Sequence, residues 1–200
     1  MPIPSSNNTA QKVWIALETA KVPHIMKEID LYGPNGKPDW FLEMTPFGTI
    51  PVLSCYGGAM AFADSDVILD NLGRLENGSS VMPKDESQLK QVTAFRSALD
   101  ELLPVGKAAV LGGGGDAKKE LAKKLGKLNK LLGKTASDGP FVCGKDVTIG
   151  DCAAFPFLWR LHDEFGDFDE TNQDLTKWLK ACQETETFSK TIEPAYWWWW

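Results

Sequence analysis

The chain has 200 residues, 43% of them hydrophobic, and a formal net charge of −6. A chain of that length buries roughly 70% of its unfolded surface, enough for one large or two small domains. Acidic residues outnumber basic ones in both halves (9 to 5 over 1–82, 18 to 16 over 83–200), which excludes the basic excess of a nucleic-acid-binding protein.

The elements alternate first and turn helical later. After the Ser5–Thr9 turn, Val13, Ile15, Ala16, Leu17 and Ala20 predict a helix that Val22-Pro23 ends, and His24–Asp30 alternates like a strand. A loop over residues 32–38 leads to a short helix beginning at Trp40-Phe41-Leu42. Val52–Cys55 reads as a strand, turned at Gly57-Gly58 into its hairpin partner Met60-Ala61-Phe62. Val67, Ile68, Leu69 and Leu72 have helical spacing. Past a linker over 79–84, Leu89, Val92, Leu99, Leu102 and Leu103 predict a helix that breaks at Gly112–Gly115. Leu121, Leu125, Leu128 and Leu132 stripe a further, lysine-rich helix. Ile149–Leu161 is almost wholly apolar and is expected to be the buried central helix of a second domain.

No apolar run approaches the roughly 18 residues of a membrane span, and no leader pattern opens the chain. The expectation is a soluble cytoplasmic protein with neither membrane nor nucleic-acid partners, organellar if a targeting segment is missing. Cys55, Cys143, Cys152 and Cys182 are irregularly spaced, which fits reduced buried thiols better than a disulfide frame or a metal site.

Two segments carry chemistry. Thr45-Pro46-Phe47-Gly48-Thr49-Ile50-Pro51 places a proline at the first position of a strand, and Ile50-Pro51 is a candidate cis bond leaving the Ile50 backbone groups free for an extended peptide ligand. Asp64-Ser65-Asp66 opens a helix that Ser65 or Asp64 can cap, and a helix N-terminus holds a carboxylate. A small anionic peptide fits both. Thr148-Ile149-Gly150-Asp151 is a capping-box variant assigned to fold stability. Lysines on the 118–134 helix read as a solvated face. Gly112–Gly115 lacks the Gly-Lys-Thr of a phosphate loop, and His24 and His162 read as structural.

Residues 11–72, with Lys37-Pro38-Asp39-Trp40, Ile50-Pro51 and Asp64-Ser65-Asp66-Val67-Ile68, resemble the N-terminal domain of the glutathione transferase superfamily, most of all its dehydroascorbate reductase branch. Gly139-Pro140-Phe141-Val142-Cys143-Gly144 followed by Thr148–Asp151 is similar to the family's C-terminal signature. The resemblance implies a thioredoxin-like α/β domain (1–78) with glutathione as co-substrate, an all-α domain (85–194), an aromatic tail (195–200), and a homodimer. That fold needs a first strand before the first helix, yet only Met1-Pro2-Ile3-Pro4 precedes the turn. A shortened form of a longer protein is the favoured expectation, a stub of a strand the other.

Family enzymes place a Ser, Tyr or Cys before the first helix to steady the thiolate. A free thiol has a pKa of about 8.5, and lowering it by two units takes about 2.7 kcal/mol. The cysteine of the dehydroascorbate reductase pattern falls on Asn7, which disfavours disulfide exchange through a protein thiol. Ser6, Asn7 and Thr9 remain as thiolate donors, serving conjugation or peroxide reduction with a small hydrophobic electrophile. Gln11, Lys37, Ile50, Pro51, Asp64 and Ser65 are the expected glutathione-binding residues. The alternative is a non-catalytic binding or protein-interaction module on the same fold. Trp197–Trp200 either wall the electrophile pocket or mark a chain that continues.

Overall fold

The computed structural model describes residues 8–31, 36–45, 47–112, 114–166, 168 and 170–192. Ser6, Asn7 and Tyr196–Trp200 lie outside the described residues.

Helix α1 (Asn8–Thr19) turns Val13, Ile15, Ala16 and Leu17 inward. It ends as expected at Val22-Pro23. Val22 N–H donates to Leu17 C=O (2.9 Å) and Lys21 N–H to Glu18 C=O (3.1 Å), with Lys21 left-handed at φ 55°, a Schellman ending beyond which proline cannot continue a helix.

The strand expected over His24–Asp30 does not form. Residues 22–30 have no regular secondary structure, and Ile25 is 98% exposed. Alternation says which side chains share a face, but a strand exists only through a hydrogen-bonded neighbour, and no strand among the described residues pairs with this segment. His24 instead bonds locally, its Nδ1 lying 2.8 Å from Val22 O.

Helix α2 (Asp39–Met44) buries Phe41. Strands β1 (Val52–Cys55) and β2 (Met60–Ala63) form an antiparallel hairpin, Val52 opposite Ala63 and Cys55 opposite Met60. Its turn needs positive φ at Gly57 (65°) and Gly58 (97°), a conformation that glycine adopts without steric cost. Helix α3 (Ser65–Asn71) packs Ile68 and Leu69 inward.

The second half is helical: α4 (Glu86–Val110), α5 (Gly114–Gly133), α6 (Ile149–Phe165), α7 (Gln173–Glu184) and α8 (Glu186–Ser189). Asp85 caps α4 by accepting from Gln88 N–H (2.8 Å). All four leucines of the α5 stripe are buried. Residues 149–158 and Leu161 of α6 are buried too, making it the expected central helix. Helices α4 and α6 touch closely at Gly106, where a Cβ would lie 2.5 Å from Phe157 Cζ. Helix α7 carries Leu175, Trp178, Leu179 and Cys182 inward at helical spacing.

Asp151 locks this half together. Its fully buried carboxylate accepts from Thr148 N–H, Val142 N–H and Trp178 Nε1, each at 2.8 Å, and from Thr148 Oγ1 at 2.9 Å. One side chain thereby caps α6, fixes the 141–144 turn and anchors α7. The buried residues of α1 and α3 merge with those of α4 to α8 into a single core, so the two halves share an apolar interior.

Candidate functional site

Three segments far apart in sequence converge where the halves meet. The first is the start of α1, whose first turn carries Thr9. The Thr9 hydroxyl donates to the Ile50 carbonyl at 3.3 Å, a contact across 41 residues of sequence. The second is the loop into β1. Ile50-Pro51 is cis, and because the β1–β2 register starts at Val52, the Ile50 backbone lies outside that ladder.

Lys37 borders the same loop. Gly48 takes φ 57°, and a Cβ there would lie 2.9 Å from Lys37 Nζ and 3.0 Å from its Cδ. A residue without a side chain at 48 lets the ammonium lie across the turn. Thr45 C=O accepts from Gly48 N–H (2.9 Å) to close that turn.

The third segment is the start of α3, whose first N–H groups lack intrahelical partners. Asp64 Oδ1 takes two of them, from Asp66 (2.8 Å) and Val67 (3.2 Å). To do so Asp64 adopts φ 78° and ψ 132°, a region that costs a residue with a Cβ about 1–3 kcal/mol. Asp64 is therefore the cap, and Ser65 is released from that duty. Ser65 itself is 3% exposed at the first position of α3. A buried hydroxyl so placed is a ready contact for a bound group.

Gln11 stands apart from this group. It is 3% exposed, its Nε2 donates to Thr191 O (3.1 Å) and Thr191 Oγ1 (3.0 Å), and its Oε1 accepts from Arg160 (2.9 Å). Both ends of its amide tie α1 to the second half. The tie was illegible in sequence because Thr191 lies 180 residues away.

Beside Thr9 lies a cleft of about 60 Å³ between α1, α3, α4 and α6. Its apolar wall is Leu99, Leu103, Ala153, Pro156 and Phe157. Its polar rim holds ions the sequence reading missed. Asp66 is bridged by Lys12 (3.0 Å) and Arg96 (2.9 Å), and Arg96 also grips Asp70. Burial by itself would raise the Asp66 carboxyl, but Lys12 and Arg96 outweigh it and hold its pKa below the usual value. The available signal was spacing: Arg96, Leu99 and Leu103 fall on one face of α4.

None of the four cysteines is activated. Burial raises the Cys55 thiol, pushes Cys143 up to about 11 with help from Asp151, and lifts Cys152 and Cys182 well above the ordinary value. Among the described residues no group of three His, Cys, Asp or Glu side chains converges to hold a metal ion. No described helix is long and apolar enough to cross a membrane.

Comparison with known proteins follows the same outline. The family model for the glutathione S-transferase N-terminal domain matches residues 8–75, and that for the C-terminal domain matches residues 85–181. A curated rice protein (Oryza sativa subsp. japonica), probable glutathione S-transferase DHAR1, cytosolic, is 30% identical over 190 residues, covering 91% of this chain and 82% of its own length. Among solved structures, a trimeric glutathione transferase of Leishmania superposes with a TM-score of 0.77 at 24% identity over 95% of this chain, which spans 44% of the Leishmania chain. The dehydroascorbate reductase of Chlamydomonas reinhardtii superposes with a TM-score of 0.75 at 23% identity, over 93% of this chain and 84% of its own. At those identities the structural likeness establishes the fold alone: a thioredoxin-like domain with a small sheet, followed by a helical domain.

Proposed function

The chain belongs to the glutathione S-transferase family, and on that premise we propose that it binds glutathione and uses the bound thiol in a transferase or reductase reaction. The observation that carries this reading is the contact between Thr9 Oγ1 and Ile50 O, which sets the start of α1 against the loop into β1. A thiol held there lies beside the N-terminus of α1, whose partial positive charge favours the thiolate.

Glutathione is an extended anionic peptide, and the site offers a partner for each part. Ile50 N–H, outside the ladder, pairs with the peptide backbone as an added strand would, and Pro51 fixes the direction of the loop. Ser65 Oγ takes one carboxylate, aided by the α3 N-terminus that Asp64 organises. Lys37 supplies a counter-charge to the other carboxylate. Gln11 is left out of this set, because its amide is committed to Thr191 and Arg160.

Ser6, Asn7 and Thr9 are the proposed donors to the thiolate. In the present rotamer Thr9 gives its hydroxyl hydrogen to Ile50, so it serves the thiolate only after turning. The thiolate attacks an electrophile seated against Leu99, Leu103, Ala153, Pro156 and Phe157, an apolar wall that selects small hydrophobic substrates. Conjugation forms the new carbon–sulfur bond as the electrophile's leaving group departs with its bonding pair, or as its double bond takes up the pair and then a proton, and needs no protein thiol, in keeping with the raised pKa of all four cysteines. Likeness to a rice protein named as cytosolic supports a cytoplasmic location, and a homodimer is the association the family resemblance implies.

The test is glutathione binding measured beside conjugation to a chromogenic electrophile, on wild type and on Ser6→Ala, Asn7→Ala and Thr9→Ala. Binding with turnover that falls in at least one variant supports the reading. Binding without turnover transfers the chain to the non-catalytic class, and absence of binding ends the proposal.

A further inference from the structure

The cleft beside Thr9 has an apolar wall and a charged rim, and the charges of the rim are not evenly satisfied. Its ionic lining residues are Lys12, Asp66, Arg96 and Asp100. Lys12 and Arg96 both hold Asp66, at 3.0 and 2.9 Å, and the other arm of the Arg96 fork closes on Asp70. Both cations are thereby turned toward α3, and the second acid of the cleft is left over. No described residue forms a hydrogen bond or ion pair with Asp100. The residues outside the described set contain no lysine, arginine or histidine that could supply one. Glu101, its neighbour in the chain, faces α5, where Lys124 and Lys127 take it.

Ser65, the proposed carboxylate contact, immediately precedes Asp66, so the pair of Arg96 with Asp66 marks the glutathione end of the cleft. Asp100 follows Arg96 by four residues on α4, about 6 Å along the axis and on the same face. Leu99 and Leu103 flank it and belong to the apolar wall. An electrophile lying on that wall reaches the Asp100 carboxylate as it extends away from the glutathione end.

We propose that Asp100 is a specificity-determining residue for the second substrate: it favours electrophiles that carry an ammonium group beyond their reactive carbon and disfavours anionic ones. This rests on the glutathione reading above and deepens it by naming a charge class for the co-substrate. Asp100 is exposed, so water screens its charge and the selection is modest. Opposite unit charges about 4 Å apart in water change an equilibrium by about fivefold. The leucines beside it complete the recognition, because the methylene and methyl groups of an organic ammonium pack on them while its charge meets the carboxylate.

The experiment is calorimetric binding of S-alkylglutathiones, which carry a substituent into the cleft without turnover. One bears a trimethylammonioethyl group, another its neutral dimethylbutyl isostere, and the last a carboxyethyl group. Wild type, Asp100→Asn and Asp100→Lys are compared, with glutathione itself as the reference ligand and thermal melts alongside. The ratio of cationic to neutral affinity is expected to fall about fivefold in Asp100→Asn and further in Asp100→Lys, while the carboxylate analogue gains on the neutral one. Raising the salt to about 1 M brings the wild-type ratio toward that of Asp100→Asn. Equal ratios in all the proteins overturn the role of Asp100 and leave the glutathione reading standing. A wild type that binds glutathione and none of the analogues does the same. A wild type that does not bind glutathione overturns both.

Discussion

Replacing Ser65 by alanine separates binding from folding at the proposed carboxylate subsite. The Ser65 hydroxyl is buried, while Asp64 Oδ1 holds the cap of α3, so removing Oγ leaves that cap intact. Alanine is the better helix former by up to about 0.5 kcal/mol, so the melting temperature is expected to stay level or rise slightly. A hydrogen bond to a charged group is worth about 1.5–3 kcal/mol, which converts to glutathione binding about 10- to 150-fold weaker. Calorimetric titration with glutathione reads the affinity and a thermal melt the stability. Affinity unchanged within about twofold, together with a lowered melting temperature, would refute the argument and make Ser65 a structural residue.

Three further outcomes follow from the packing and the charges. Asp151→Ala orphans the buried donors of Val142, Thr148 and Trp178, at about 1–3 kcal/mol each, so urea unfolding should show a loss of roughly 3 kcal/mol or more. Gly106→Ala drives a methyl against Phe157, which lines the cleft and must shift; about 1–3 kcal/mol of stability and a raised KM for the electrophile are expected from melts and kinetics. The third outcome concerns pH. Lys12 and Arg96 hold the folded pKa of Asp66 below its ordinary 3.8, so its contribution to stability is full above that value and is lost as pH falls through the lower folded pKa. Urea midpoints followed from about pH 5 down to about pH 2 should therefore fall more steeply for wild type than for Asp66→Asn, by a modest margin because Asp66 is half exposed and solvent screens it.

The helices were legible where a local pattern suffices. The α5 leucines and the α6 apolar run predict burial because a helix face is set by neighbours three and four residues away. The segment over 24–30 shows the limit of that logic, since its alternation carries no information about a pairing partner. At the site, Ile50, Pro51, Asp64 and Ser65 are named by contiguous motifs, although only the observed φ of Asp64 decides which of the last two is the cap. The tie that Gln11 makes was not legible, because its partners Thr191 and Arg160 lie far along the chain. Lys12 and Arg96 went unread for the same reason, as their meeting at Asp66 depends on how α1, α3 and α4 pack.

The central claim is that glutathione occupies the groove between the loop into β1 and the start of α3. Titration of isotopically labelled protein with glutathione, followed by amide resonances, tests it most directly. The account predicts saturable shifts at Ile50, Ser65, Asp66 and Val67 with one equivalent bound per chain, weakened in Ser65→Ala. Shifts that fail to saturate, or that saturate elsewhere and leave Ile50 and Ser65 unmoved, would contradict it.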